Sequence, residues 1–221
     1  MDRLTVNNVK YEYRSKYQVV RALAGVSYNF ERGRFYSVVG KSGSGKTTLL
    51  SLLAGLDNPT EGQILVGDRD VAKIDRDKYR LEHVSVIYQA YNLFPLLTAI
   101  ENVMFPLEYK KMPKAEARRK AIEKLESVGL DASKHKRLPS MLSGGEQQRV
   151  AIARALANDT EFILADEPTG NLDTENSANI VSLLKDLAKK ENVCVIVVTH
   201  DMDVASEADI MLKLSDGMVV D

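Results

Sequence analysis

Disulfides, a membrane span and an excess of charge of one sign are all missing from this 221-residue chain. Cysteine occurs once, at Cys194, so no intrachain disulfide can form, which suits a reducing compartment. Cys194 lies in the apolar run 193–198 and reads as a buried small hydrophobe. Lys and Arg number 30 against 31 Asp and Glu, a net charge of −1, so there is no electrostatic footprint for nucleic acid or an anionic membrane surface. No stretch approaches the ~18 apolar residues of a membrane span. Met1-Asp2-Arg3-Leu4-Thr5 has no apolar signal core. The chain is therefore expected not to cross a membrane by itself. It ends shortly after Asp216-Gly217, and no C-terminal regulatory domain is expected. Repeats and low-complexity tracts are absent. The length suits one large α/β domain, or one domain carrying an inserted subdomain.

What is present starts with Gly40-Lys41-Ser42-Gly43-Ser44-Gly45-Lys46-Thr47, which fits G-x-x-x-x-G-K-[ST]. An apolar run, 35–39, precedes it as a buried strand, and residues 48–54 follow as a helix ending near Gly55. Strand, loop and helix are the context this phosphate-binding loop requires. Its glycines let backbone approach an anion closely, and its N–H groups form a nest at the positive end of the helix. Lys46 is expected on the β and γ phosphates and the Thr47 hydroxyl on Mg²⁺.

Before the loop, residues 3–39 alternate and turn, reading as a small antiparallel sheet with strands at Val19-Val20 and 26–30 separated by Ala24-Gly25. Tyr11, Tyr13 and Tyr17 cluster there; an exposed tyrosine could stack on a base, or all three could cover the sheet rim. After the loop, 63–66 and 84–88 read as strands, the second ending at Gln89. From Tyr91 the pattern changes to a helical segment of roughly sixty residues. It contains an apolar, loop-like run, 92–98, and a helix from Lys114 to Val128 closed by Gly129. That helix has an apolar stripe of Ala117, Ala121, Ile122, Leu125 and Val128; its charged residues, Lys124 among them, read as a solvated face. The β/α pattern then resumes with a strand at 162–165, a helix at 176–190, a strand at 193–198 and a terminal hairpin around Ser215-Asp216-Gly217.

Three segments put polar chemistry just past a buried strand: the phosphate loop, Asp166-Glu167 and His200. In an open parallel sheet, ligands bind at that edge. Asp166 suits the metal-associated acid of a phosphate-loop ATPase, and Glu167 could polarise a water attacking the γ-phosphate. His83 and His135 match no motif and read as structural. Leu142-Ser143-Gly144-Gly145-Glu146-Gln147-Gln148-Arg149 precedes a helical run, 150–157; Ser143 can cap that helix, whose N-terminus would offer a second anion site.

Leu-Ser-Gly-Gly-Glu-Gln-Gln-Arg resembles the signature motif of ABC ATPases, and the whole chain resembles an ABC transporter nucleotide-binding subunit. The resemblance implies an α/β P-loop NTPase of ABC type. A mostly parallel, RecA-like core and an N-terminal antiparallel β-subdomain would comprise 1–90 and 159–221, with an inserted α-helical subdomain at 91–158. It makes Gly40–Thr47 the Walker A loop, with Thr48 beside it at the ATP, and Tyr13 the base-stacking aromatic. Gln89 matches the Q-loop glutamine at the Mg²⁺ site, Asp166 ends Walker B, and Glu167 is the catalytic glutamate. Asp173 of Gly170-Asn171-Leu172-Asp173 would communicate across a dimer, and His200 is the switch histidine. Ser143, Gly144, Gly145 and Glu146 would act in trans on ATP held by a second subunit. The implied assembly is a homodimer with ATP and Mg²⁺ at its interface. It would be bound to a membrane permease on the cytoplasmic face of the membrane, with no nucleic-acid partner.

Residues 91–103 and 166–173 are similar to the lipoprotein-release and macrolide-export branch (LolD and MacB types), which implies export or membrane extraction. Leu93-Phe94-Pro95-Leu96-Leu97 would then line the groove for the permease's coupling helix; a subdomain-core role for part of the run is the other reading. Lys41 departs from the proline usual in that branch; the general loop pattern accommodates any residue there. A mechanotransmission ATPase with a membrane partner shares every motif. A soluble ABC protein of translation or DNA repair fits less well: the chain has one ATPase domain, and Lys46 and Ser143 are 97 positions apart (143 − 46) with no long heptad run between them.

Overall fold

The computed structural model describes residues 3–220. Met1 and Asp2, part of the stretch read as lacking a signal core, lie outside the described residues. The chain opens with an antiparallel pair, β1 (Arg3–Arg14) and β2 (Val19–Glu31). The two strands expected at Val19-Val20 and 26–30 are thus one. Gly25 does not break it; Val9 pairs with Val26 and Lys10 with Ala24, so Gly25 is the extra residue of a bulge, at φ +123°.

β3 (Phe35–Val39) leads through the phosphate loop into α1 (Lys46–Leu53). β4 (Glu61–Val66) and β5 (Arg69–Asp70) return to the first sheet, whose order is β2-β1-β4-β5. α2 (Arg76–Glu82) precedes β6 (Val84–Tyr88). Three helices follow: α3 (Ala99–Tyr109), α4 (Lys114–Ser127) and α5 (Gly144–Leu156). β7 (Phe162–Asp166), α6 (Thr174–Lys190), β8 (Cys194–Val198), α7 (Met202–Ser206) and the hairpin β9 (Ile210–Ser215) and β10 (Met218–Val220) complete the chain. The second sheet has the order β10-β9-β3-β8-β7-β6, parallel except for β10.

Alternate residues of the central strands enter different cores. Ile163, Ala165, Val195 and Val197 pack with the helices α3 to α6; Phe162, Leu164, Cys194, Ile196 and Val198 pack with α1 and the antiparallel sheet. A strand covered on both faces must be apolar throughout, which is why these runs show no alternation. α3 was not marked out by the apolar pattern. It starts at a Thr98–Glu101 capping box and accommodates Pro106 in its interior. Lys124 departs from the expected solvated face. It is buried, with its ammonium 3.9 Å from both Asp159 and Glu191, because the chain around those two residues covers that side of α4.

Candidate active site

The parallel sheet brings the ends of β3, β7 and β8 side by side, and a cavity of about 460 Å³ opens there, lined by phosphate-loop residues with Tyr13, Asp166, Glu167 and His200. Glycine is required in the loop: a Cβ on Gly45, at φ +102°, would lie 2.4 Å from the Ala22 carbonyl. No side chain caps α1, so its first N–H groups face the cavity without a side-chain partner. The Lys46 ammonium donates to the carbonyls of Gly40 (2.8 Å) and Lys41 (3.1 Å). Ser44 Oγ is buried with no hydrogen-bond partner. The Lys41 side chain is exposed and does not line the cavity. Of the three tyrosines, Tyr11 spends its hydroxyl on Asp57 and Tyr17 stands exposed at the hairpin turn. Tyr13 alone lines the cavity, half-exposed, with its hydroxyl 3.1 Å from that of Thr48.

Asp166 ends β7 and lines the same cavity as Thr47. Burial raises its carboxyl above the ordinary value, the Glu167 charge adds to this, and Lys46 opposes it. Among the described residues no group of three His, Cys, Asp or Glu gathers to hold a metal. The Thr47 hydroxyl and Asp166 carboxylate are instead hard oxygen donors of the number Mg²⁺ takes from protein when substrate phosphates and water supply the rest.

Glu167 adopts φ +46°, a left-handed conformation that side chains disfavour, fixed by its N–H bond to the Val198 carbonyl (2.9 Å). Its carboxylate accepts from the Thr199 hydroxyl (3.0 Å) and the His200 N–H (3.1 Å), and lies 2.7 Å from His200 Nδ1. Glu167 and His200 are also the wall shared with a larger cavity, about 710 Å³, between α6 and α7.

The remaining expected residues stand outside the 460 Å³ cavity. Gln89 does not face Thr47; its amide meets Asn171 (3.4 Å), whose own amide donates to the Gln89 carbonyl (2.9 Å). Ser143 caps α5 in a capping box with Glu146. The Glu146 carboxylate is held by Lys134 (2.8 Å) and the Ser143 N–H (2.8 Å), and Lys134 above all keeps it below its usual range. Gly144 and Gly145 are pressed against Tyr91 and Asn176 of the same chain. Asp173 caps α6, accepting from the Asn176 N–H (2.8 Å). Both other histidines are structural: His83 meets Glu161, and His135 is buried against the Leu130 carbonyl.

Residues 23–170 match the family described as ABC transporter. The chain belongs to the ABC transporter family. It is an ATP-hydrolysing subunit of that family. YclH of Bacillus subtilis, an uncharacterised ABC transporter ATP-binding protein, is 44% identical over 98% of this chain and 95% of its own length. The lipoprotein-releasing system ATP-binding protein LolD of Legionella pneumophila is 44% identical, covering 97% and 95%. Among solved structures, a dimeric post-hydrolysis state of the cassette MJ0796 from Methanocaldococcus jannaschii, bound to ADP and Pi, superposes with a TM-score of 0.89. It is 40% identical, covering 99% of this chain and 97% of that one.

For an ABC cassette, two contributors had gone unassigned in the sequence. Thr199 was visible only as the neighbour of His200, yet its hydroxyl orients Glu167. Gln148, fully buried on α5, donates to the Pro168 carbonyl (2.7 Å) and so ties the signature helix to the segment after Glu167. Among the described residues, no helix is long and apolar enough to cross a membrane.

Proposed function

We propose that this subunit is the motor of an exporting or membrane-extracting ABC transporter, working as a homodimer on the cytoplasmic face of a permease. The observation that carries the reading is Glu167, held at three points on the wall of the phosphate-loop cavity. Residues 40–48 hold the triphosphate, Lys46 exchanging two backbone carbonyls for phosphate oxygens, and Tyr13 stacks on the base. Thr47 and Asp166 hold Mg²⁺, which when bound offsets charge on the β and γ phosphates. Gln89, here bonded to Asn171, would be a further oxygen donor to that ion. Glu167 accepts a proton from water as its oxygen attacks the γ-phosphorus and the bond to the bridging oxygen breaks; His200 steadies Glu167 and the γ-phosphate.

Ser143, Gly144 and Gly145 close the site in trans. Glu146 supports them by holding the cap rather than by touching nucleotide, since its carboxylate is already committed to Lys134 and Ser143. Asp173 relays closure across the dimer through the start of α6. The permease docks on the loop after Gln89. Phe94, Pro95 and Leu96 are exposed there, Leu96 by 88%, and Phe94 packs on the half-exposed Phe105; Leu93 instead packs into the core. A mechanotransmission role is not favoured, since the named relatives are transporter proteins.

The trans arrangement is tested by mixing a Ser143→Arg subunit with a Lys46→Ala subunit. Each alone should fail to hydrolyse ATP. The mixed dimer should retain one complete site and recover a measurable fraction of phosphate release; no recovery, with mixed dimers demonstrated, would exclude composite sites.

A further inference from the structure

Arg154 lies in the last turn of α5, ~15 Å along the helix from Gly144 at 1.5 Å per residue. Its guanidinium donates to the Asn92 carbonyl (2.7 Å) and the Tyr91 carbonyl (2.9 Å). The residue is partly buried, and burial lowers its pKa from the ordinary arginine value. Among the described residues no carboxylate lies within ion-pair distance of it. A partly buried cation answered by two carbonyls and the neighbouring Tyr88 side chain, with no ion-pair partner, is costly, and an apolar side chain would fill the same space at lower cost.

The carbonyls it holds belong to an unusual turn. Tyr91 and Asn92 both occupy the left-handed region, at φ +59° and +48°, which non-glycine residues avoid. The turn begins two residues after Gln89 and ends two before Phe94. Beyond it, buried Asn102 of α3 accepts from the Phe94 N–H (2.8 Å) and donates to the carbonyls of Phe94, Leu97 and Thr98. Both fasteners of residues 91–98 are therefore carried by helices of the α3–α5 layer, whereas Gln89 follows directly on β6 of the core sheet and bonds to Asn171.

We infer that Arg154 is a positioning residue that locks the turn after Gln89 to the signature helix, so that the apolar docking loop travels with that helix and the chain hinges at Gln89-Ala90. This rests on the proposed closure of Ser143 on a partner's ATP and assigns the part that carries that closure to the permease.

The test uses nitroxide pairs in the full chain carrying Glu167→Gln. Cys194 is fully buried and will not compete for label. One pair joins Leu96 to Glu126 of α4; the other joins Leu96 to Lys73 beside the core. On adding Mg–ATP, the first distance should hold while the second shifts. Arg154→Met should at least double the width of the Leu96–Glu126 distribution and abolish the Leu96–Lys73 shift, leaving ATP affinity within about twofold. Arg154→Lys, which reaches one carbonyl at a time, should be intermediate, and carries the test if the methionine variant fails to fold. A variant distribution as narrow as the parent's, or a parent Leu96–Glu126 distance that shifts with ATP as much as the other pair, overturns the inference. ATP-driven dimerisation, followed on the same samples by size exclusion, reports separately on the proposed function. Its absence with the Arg154 effect on width intact would refute the motor reading and leave the lock standing.

Discussion

Replacing Glu167 with Gln removes one charge from the site and little else. The amide keeps an acceptor for the His200 N–H and a group that can bond Thr199 Oγ1, so the strained φ of +46° stays supported and stability should change by less than ~1 kcal/mol. The rate should not survive. A positioned general base is worth roughly 10²–10⁴, and at about 1.4 kcal/mol per decade its loss raises the barrier by ~3–5 kcal/mol. Binding should move the other way. A carboxylate ~8 Å from the centre of a triphosphate, at an effective dielectric of ~20, repels each unit of phosphate charge by about 2 kcal/mol before screening by Lys46 and Mg²⁺. The variant should therefore bind ATP at least as tightly as the parent and accumulate as an ATP-bound dimer. The assays are phosphate release at saturating Mg–ATP, equilibrium ATP titration, and size exclusion with and without ATP. A turnover within about threefold of the parent's would refute the general-base assignment, because no other carboxylate on the cavity wall is free of the metal role.

Asp166→Asn should raise the melting temperature of the nucleotide-free chain by about 2–4 °C while abolishing Mg²⁺-dependent hydrolysis, since it removes a half-buried charge that Lys46 offsets only in part. The sign follows from proton counts: burial, with the Glu167 charge, holds the native Asp166 pKa above 3.8, so the native state binds more protons than the unfolded chain in the window just above 3.8. Asp166 therefore contributes a loss of stability as pH rises through that window, opposing the gain from carboxylates held below their usual range such as Glu146, so the asparagine variant should gain more stability with pH than the parent in denaturant melts across it; identical pH slopes would contradict the assignment. On the proposed stacking role, Tyr13→Ala should weaken ATP binding about 5- to 160-fold, from ~1–3 kcal/mol, and Tyr13→Phe, which keeps the ring and loses only the bond to Thr48, should restore most of it; equal losses in both variants on ATP titration would point to the hydroxyl instead.

Local chemistry was legible wherever it was local in sequence. The phosphate loop, the capping residue Ser143 and the acids at the end of β7 each declare themselves within a few residues. The buried strands at 35–39, 84–88 and 162–165 showed as apolar runs because both faces are covered. The misreadings share one cause, a partner far along the chain. Gly25 looks like a strand break until β1 is laid beside it to make a bulge. Lys124 has helical-face spacing that suggests solvent, until Asp159 and Glu191 arrive over it.

The amino-acid sequence alone pointed to a nucleoside triphosphate and marked out the residues proposed to hold it, since a glycine-lined anion nest and a strand-end acid are local devices. Only the tertiary structure decided what orients them: Thr199 and His200 on Glu167, Asn171 on Gln89, Lys134 on Glu146, and Arg154 on a turn 62 residues away. Such contacts depend on which strands are neighbours and which helix end meets which loop, and those follow from packing two apolar layers on one sheet rather than from any run of adjacent residues.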